Sequence, residues 1–165
     1  MKQLWAPWRM DYILGTKSSE CIFCHNPTTK QNKKKLLLYG GTSTLVLLNK
    51  YPYSNCHLLV APRKHTKSLN DLTQAESIDL FSTLTRSVNL LKKAIQPEGF
   101  NIGMNLGRVA GAGVEDHLHF HIVPRWCGDT NFMPVVGESM VIPEHLQKAY
   151  DRLLPFFKKL SHNHG

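Results

Sequence analysis

Three histidines spaced two apart, His117, His119 and His121, constrain this chain more than any other feature. Leu118, Phe120 and Ile122 fill the gaps, and Val123 continues the apolar run. Period two is the period of a β-strand, so the spacing predicts a strand over 117–123. On such a strand the imidazoles share one face and the apolar side chains turn to the other, toward a core. A row of imidazoles can attack, bind metal or move protons near neutral pH.

The rest of the chain supplies partners for that strand. Leu36–Tyr39 reads as a strand, with Gly40-Gly41 as a turn signal. Thr44–Leu48 reads as a strand buried on both faces, and His57–Ala61 as a second, stopped by Pro62. The turn-rich stretch between them predicts an antiparallel pair with a long loop. Asp71–Gln96 is the best helix: Ile78, Phe81, Leu84, Val88, Leu91 and Ile95 recur at helical spacing. Thr73-Gln74-Ala75-Glu76 can form a capping box, and Pro97 and Gly99 end the run. Phe100–Leu106 is a further strand. Pro143–Leu160 is a second amphipathic helix, with Leu146, Tyr150, Leu153, Phe157 and Leu160 on one face. Strands paired antiparallel beneath two helices make an α+β domain.

Composition narrows the function. The 165 residues suit one domain, with 42% hydrophobic and 19% charged residues. Twenty basic against 12 acidic residues give a net charge of +8, which favours anionic partners. Part of it sits in the solvated run Lys30–Lys35. No aromatic-rich basic stripe points to nucleic acid. No stretch approaches the ~20 apolar residues of a membrane span, and the start of the chain has no signal-peptide core. A cytoplasmic protein is expected, with Cys21, Cys24, Cys56 and Cys127 as thiols or metal ligands.

The histidine row admits three chemical readings: satisfied structural histidines, a metal trio with a further ligand elsewhere, or a nucleophile with proton-managing neighbours. The preceding loop favours the third. Gly107, Gly111 and Gly113 let backbone N–H groups approach an anion, Asn105 adds an amide, and Arg108 and Arg125 add charge. Together they read as a phosphate cradle beside a nucleophile.

His117-Leu118-His119-Phe120-His121-Ile122-Val123 resembles the signature of the histidine-triad (HIT) nucleotide hydrolase and transferase superfamily. Asn49 and the stretch Cys56–His65 resemble that family's Asn and Gly-His-φ-φ-Val-x-Pro-x-x-His elements. The flanks Leu4–Tyr12, Pro124-Arg125-Trp126 and Gly128–Met133 resemble the bacterial branch that includes diadenosine tetraphosphate phosphorylases (ATP adenylyltransferases). The resemblance implies a single HIT domain over 1–165: a mainly antiparallel sheet, one long helix packed on it and a C-terminal helix. Within it, 1–20 is an N-terminal aromatic segment, 21–126 the core and 127–165 a C-terminal extension.

The resemblance also implies roles. His119 attacks the α-phosphorus and carries the nucleotide, and His121 binds phosphoryl oxygens and assists the leaving group. His57 supports the row from the neighbouring strand. Asn49 holds the ribose, and Asn105 with Gly111, Ala112 and Gly113 lines the phosphates. The implied activity is cleavage of dinucleoside polyphosphates with phosphate or water as acceptor. The rivals are a purine-nucleoside phosphoramidase or broad nucleotide hydrolase, a nucleotide-binding signalling module with little turnover, and a metallohydrolase using the row for catalytic zinc. A homodimer is implied as well, the aromatic segment helping to build its interface.

Cys21-x-x-Cys24 is half a tetrahedral metal site by spacing. In metal-binding HIT proteins the set is completed at positions that here are His65 and His117, which implies a structural Cys₂His₂ zinc. His25, Cys56 and Cys127 are the nearest alternative ligands. This chain departs from the family pattern in two places. Gly111–Asp116 is one residue longer than the usual stretch and lacks its phosphate-contacting amide and hydroxyl, and Cys56 replaces the usual glycine before His57.

Overall fold

A computed structural model describes residues 21–24, 32–129 and 144–162. The aromatic segment 1–20, the run 25–31 with His25, the segment 130–143 with Pro143, and 163–165 lie outside the described residues.

Five strands form one antiparallel sheet: β1 (Leu37–Gly40), β2 (Thr44–Leu48), β3 (Leu58–Pro62), β4 (Gly99–Met104) and β5 (Phe120–Arg125). Their order is β1-β2-β3-β5-β4, and every pairing is antiparallel. Among the described residues two α-helices, α1 (Gln74–Ile95) and α2 (Leu146–Lys158), join the sheet in an α+β architecture.

Both faces of β2 and β3 are covered, which explains their unbroken apolar runs. Val46, Leu48, Leu58 and Val60 face the main core, where Leu80, Leu84 and Leu91 of α1 and Tyr150, Leu153 and Phe157 of α2 meet them. Leu45, Leu47, Leu59 and Ala61 face a smaller cluster closed by Phe23. The sheet therefore has a helical side and a side covered by the Cys21–Cys24 turn. Leu153 is fully buried at the centre of the main core; truncating such a residue to alanine costs about 2–5 kcal/mol.

Helix α1 begins as its sequence predicts. The Thr73 side chain accepts from the Glu76 N–H while Glu76 reaches back to the Thr73 N–H. Gln96, in the left-handed region, closes it ahead of Pro97. The predicted buried stripe requires correction. Ile78 and Phe81 are 62% and 65% exposed, and the buried stripe is Leu80, Thr83, Leu84, Ser87 and Leu91. Thr83 and Ser87 pass as core because the Ser87 hydroxyl donates to the Thr83 carbonyl within the helix. Helix α2 buries Tyr150, Leu153 and Phe157 as expected, and Tyr150 donates to the Leu37 carbonyl.

The strand predicted over 117–123 also begins later than expected, at Phe120. Two hydrogen bonds divert the chain before it. The Leu118 N–H donates to the Thr66 carbonyl, and the His119 ring donates to the His117 carbonyl. Those groups are consequently lost to a sheet ladder. His57 likewise precedes β3, although its carbonyl still accepts from the Asn49 N–H and extends the β2–β3 ladder by one step.

Candidate functional site

The register builds the site on the face opposite the helices. Leu59 pairs with His121, and Leu58 with Ile122. His57 shares the face of Leu59, so it lies diagonal to His121 across the β3–β5 pair. Nε2 of His57 lies 2.9 Å from Nδ1 of His121. The His121 and His119 ring centroids are 4.9 Å apart. The expected grouping of His57, His119 and His121 is therefore present.

Each histidine has a distinct hydrogen-bond environment. Nδ1 of His119 donates to the His117 carbonyl at 2.9 Å, which leaves a lone pair on Nε2. Nε2 of His117 donates to the Pro62 carbonyl at 2.8 Å, which leaves its lone pair on Nδ1. Asn49 places Nδ2 3.2 Å from Nδ1 of His57. The Tyr53 N–H lies 3.1 Å from that same nitrogen.

Burial keeps these rings neutral. It pushes His57 down to about 3, helped by the positive charge that His121 and His119 would carry. Burial also lowers His119, against the opposing pull of its bond to the His117 carbonyl. His117 is lowered by burial first, then by His65 and His119, with the Pro62 carbonyl opposing. An uncharged imidazole with an unshared nitrogen lone pair is a competent nucleophile at neutral pH.

Cys21, Cys24, His65 and His117 converge on one point, with all four ligand atoms within 4.8 Å of one another. Nδ1 of His117 lies 3.3 Å from the Cys21 sulfur and 3.5 Å from the Cys24 sulfur. Nδ1 of His65 lies 3.0 Å from the Cys24 sulfur and 3.3 Å from Nδ1 of His117. Tetrahedral bonds of about 2.0–2.3 Å separate ligand atoms by about 3.3–3.8 Å, so this donor set fits a four-coordinate cation with only small adjustment. The Pro62 carbonyl fixes the tautomer of His117 that leaves Nδ1 for a cation, the outer partner such a ligand would need. By itself the Cys24 thiol resists ionisation: partial desolvation and then the Cys21 sulfur push it up to about 11. A divalent cation reverses that preference by stabilising both thiolates.

The loop before the histidines differs from its expected form. Asn105 donates its amide to the Gly111 carbonyl at 3.3 Å, so it braces the loop. The N–H groups of Gly111 and Ala112 turn inward to the carbonyls of Arg108 and Gly107. Gly107 and Gly111 both have positive φ, which explains glycine at each. Arg125, expected to add charge near the phosphates, is instead engaged by Asp129 and Asn101. Cys56 has φ of 57° and is buried, with Arg152 against its sulfur, far in character from a metal ligand. Glycine, which the family resemblance leads one to expect there, adopts that left-handed backbone without strain.

Two residues escaped the sequence reading. Phe23 packs at 5.0 Å from the His117 ring and 5.1 Å from the His119 ring. Tyr53 lies 4.9 Å from His57 and 5.9 Å from His121, centroid to centroid. The signal for Phe23 was an aromatic residue enclosed by Cys21-x-x-Cys24; Tyr53 carried no signal, since its turn position reveals nothing of what lies across the sheet.

The model of the HIT domain matches residues 30–127. A relative from Mycobacterium tuberculosis named AP-4-A phosphorylase is 36% identical over 89% of this chain and 80% of that protein. The adenosine 5'-monophosphoramidase hnt1 of Schizosaccharomyces pombe is 33% identical over 64% of this chain and 74% of its own length. Among solved structures, a hypothetical histidine triad nucleotide-binding protein from Sulfolobus tokodaii superposes with a TM-score of 0.65 at 25% identity, covering 88% of this chain and 97% of that one. A Zn-bound histidine triad family protein from Mycobacterium smegmatis has a TM-score of 0.61 at 24% identity, covering 77% of this chain and 86% of that one, and shares the fold. With the matched region spanning the sheet, the long helix and the whole histidine cluster, the chain belongs to the HIT domain family.

Proposed function

We propose that the protein is an enzyme that transfers AMP from a dinucleoside polyphosphate, such as diadenosine tetraphosphate, through a nucleotidyl-histidine on His119. The observation that carries this reading is the bond from His119 Nδ1 to the His117 carbonyl, which leaves Nε2 unprotonated and able to attack. In the first step a bond forms between Nε2 and the α-phosphorus, and the bond to the bridging oxygen breaks. In the second step phosphate or water displaces the imidazole and releases ADP or AMP. His121 hydrogen-bonds the phosphoryl oxygens, and His57 holds His121. Asn49 binds the ribose, and the loop of Asn105, Gly111, Ala112 and Gly113 borders the polyphosphate. Similarity to the mycobacterial AP-4-A phosphorylase over most of both chains supports this substrate class and makes phosphate the favoured acceptor.

The Cys21, Cys24, His65 and His117 set holds zinc in a structural role, since its donors are complete without a substrate position. Zinc there supplies a fixed anchor for the segment that leads into His119. This favours a nucleophilic row over a row that binds catalytic metal. A reducing cytoplasmic setting agrees with four cysteines that form no disulfide. A homodimer is supported by two features of the surface: β4 is an edge strand among the described residues and carries the exposed Ile102, and α1 leaves Ile78 and Phe81 outward.

Mass spectrometry of enzyme quenched in alkali during turnover tests the central step. AMP attached to His119 is expected, and phosphate should accelerate turnover with ADP as product. Turnover without an adduct, and unchanged by replacing His119, would overturn the reading.

A further inference from the structure

The loop between β2 and β3 fixes where the protons of the histidine pair reside. Nδ2 of Asn49 lies 3.2 Å from Nδ1 of His57, and the Tyr53 N–H lies 3.1 Å from it. A backbone N–H only donates, so that nitrogen carries a lone pair. Neutral His57 therefore keeps its proton on Nε2, which faces Nδ1 of His121 at 2.9 Å. Nδ1 of His121 accepts, and the His121 proton resides on its own Nε2. The orientation of Asn49 has an independent anchor: its Oδ1 accepts from the Tyr51 N–H at 3.0 Å, which turns Nδ2 toward the imidazole.

The pair thus holds two protons, each with a defined atom. A third has no place. Protonating His121 at Nδ1 sets it against the Nε2–H of His57. Moving the surplus proton to Nδ1 of His57 sets it against two donors, in a ring that is wholly buried. His121 can lend a hydrogen bond from Nε2, but giving that proton away entirely leaves an imidazolate.

Leaving groups differ in how much this matters. When His119 displaces a polyphosphate, the P–O bonding pair stays on the bridging oxygen, and the product is a stable anion that needs no proton. When it displaces an amine, the P–N bonding pair stays on nitrogen, and that nitrogen must be protonated as the bond breaks.

We propose, on the functional reading above, that Asn49 determines leaving-group specificity: its donation to His57 keeps the His57–His121 pair from storing an extra proton, so the site favours substrates that release an oxyanion over substrates that release an amine. In this capacity Asn49 is a positioning residue, acting through His57. Replacing it with aspartate reverses the polarity. The introduced carboxylate accepts from Nδ1–H of His57 and outweighs the single opposing donor that remains, the Tyr53 N–H; Nε2 of His57 then accepts from His121, and His121 becomes an imidazolium with a proton to give.

The test compares two substrates with the same AMP group: diadenosine tetraphosphate, which releases ATP, and adenosine 5'-phosphoramidate, which releases ammonia. Any ribose contact of Asn49 is common to both and cancels in the ratio of their kcat/KM values. Wild type should favour the polyphosphate. Asn49→Asp should shift the ratio toward the amine by about tenfold or more, within the range of general-acid effects. Asn49→Ala, which keeps only the Tyr53 donor, should shift the ratio in the same direction but by less than Asn49→Asp does. Nitrogen-15 spectra of the imidazoles give a readout independent of activity: Nδ1 of His57 should be unprotonated in wild type and protonated in Asn49→Asp. Equal losses on both substrates in Asn49→Asp, or a proton on Nδ1 of His57 in wild type, overturn the proposal. If wild type turns over neither substrate, the functional reading fails, and the nitrogen spectra alone decide the proton arrangement.

Discussion

The ring of His119 is held by the carbonyl of His117, two residues earlier, through a 2.9 Å bond to Nδ1. That bond directs the remaining lone pair of His119 away from the backbone. Replacing His119 with alanine should lower kcat by on the order of 10⁴-fold, as for other covalent nucleophiles. Steady-state assays on diadenosine tetraphosphate measure this, and a loss under ~10-fold would remove His119 from the reaction.

Acid should destabilise the fold through His57. Its folded pKa is about 3 against 6.5 in the unfolded chain, so between these values the unfolded state binds the extra proton. Stability therefore falls as pH drops below about 6.5, by up to about 1.4 kcal/mol per pH unit for one such group. His117 and His119 are shifted in the same direction and steepen the fall. Urea unfolding at pH 7, 6 and 5 should show it, and His57→Gln should flatten the curve by one group's share. An unchanged slope in that variant counts against a neutral buried His57.

Removing a thiol should empty the metal centre. Cys21→Ser is expected to weaken zinc affinity by more than the roughly 10–100-fold typical of losing an outer partner, and to lower Tm. Metal analysis of purified protein, paired with adduct formation on the folded fraction, separates anchoring from catalysis. Retained zinc with abolished adduct formation would contradict a structural metal.

Position 56 tests the backbone. Cys56 has φ of 57°, a conformation that a β-branched residue strongly resists. Cys56→Val should cost about 1–3 kcal/mol. Cys56→Gly should cost less, because relief of strain offsets the loss of buried sulfur. Chemical denaturation of the two variants gives the comparison; equal stability would mean the left-handed turn is not required.

A dimer that uses the outward face of α1 should respond to charge there. Phe81→Glu is expected to weaken association at least ~10-fold, as loss of an interface aromatic does. Sedimentation at several concentrations reports it. A dimer unaffected by this change must use another surface.

Much of this architecture was legible where local chemistry and burial agree. Thr73 and Glu76 declared the start of α1, the apolar run of β2 declared a strand covered on both sides, and that of β3 declared a strand, although β3 takes in Pro62 instead of stopping before it. The late start of β5 was not legible, because it depends on the Thr66 carbonyl, a partner about 50 residues distant in the chain. Ile78 and Phe81 misled the periodicity because helical spacing marks an apolar stripe without saying which part of it the sheet covers. The histidine cluster was legible by type and spacing. The tautomers were not, since they are set by Asn49, Tyr53 and Pro62 across the sheet.

Phe23 touches His117 of the Cys₂His₂ cluster and His119, the proposed nucleophile, with the same ring, at 5.0 and 5.1 Å. The two centres accordingly share a wall, and that wall is mounted on the short Cys21–Cys24 hairpin that metal would clamp. Stripping the ion would thus slacken the back of the reaction chamber without altering any group that meets a nucleotide, so depletion would register first as imprecise aim of the attacking ring and only afterward as unfolding.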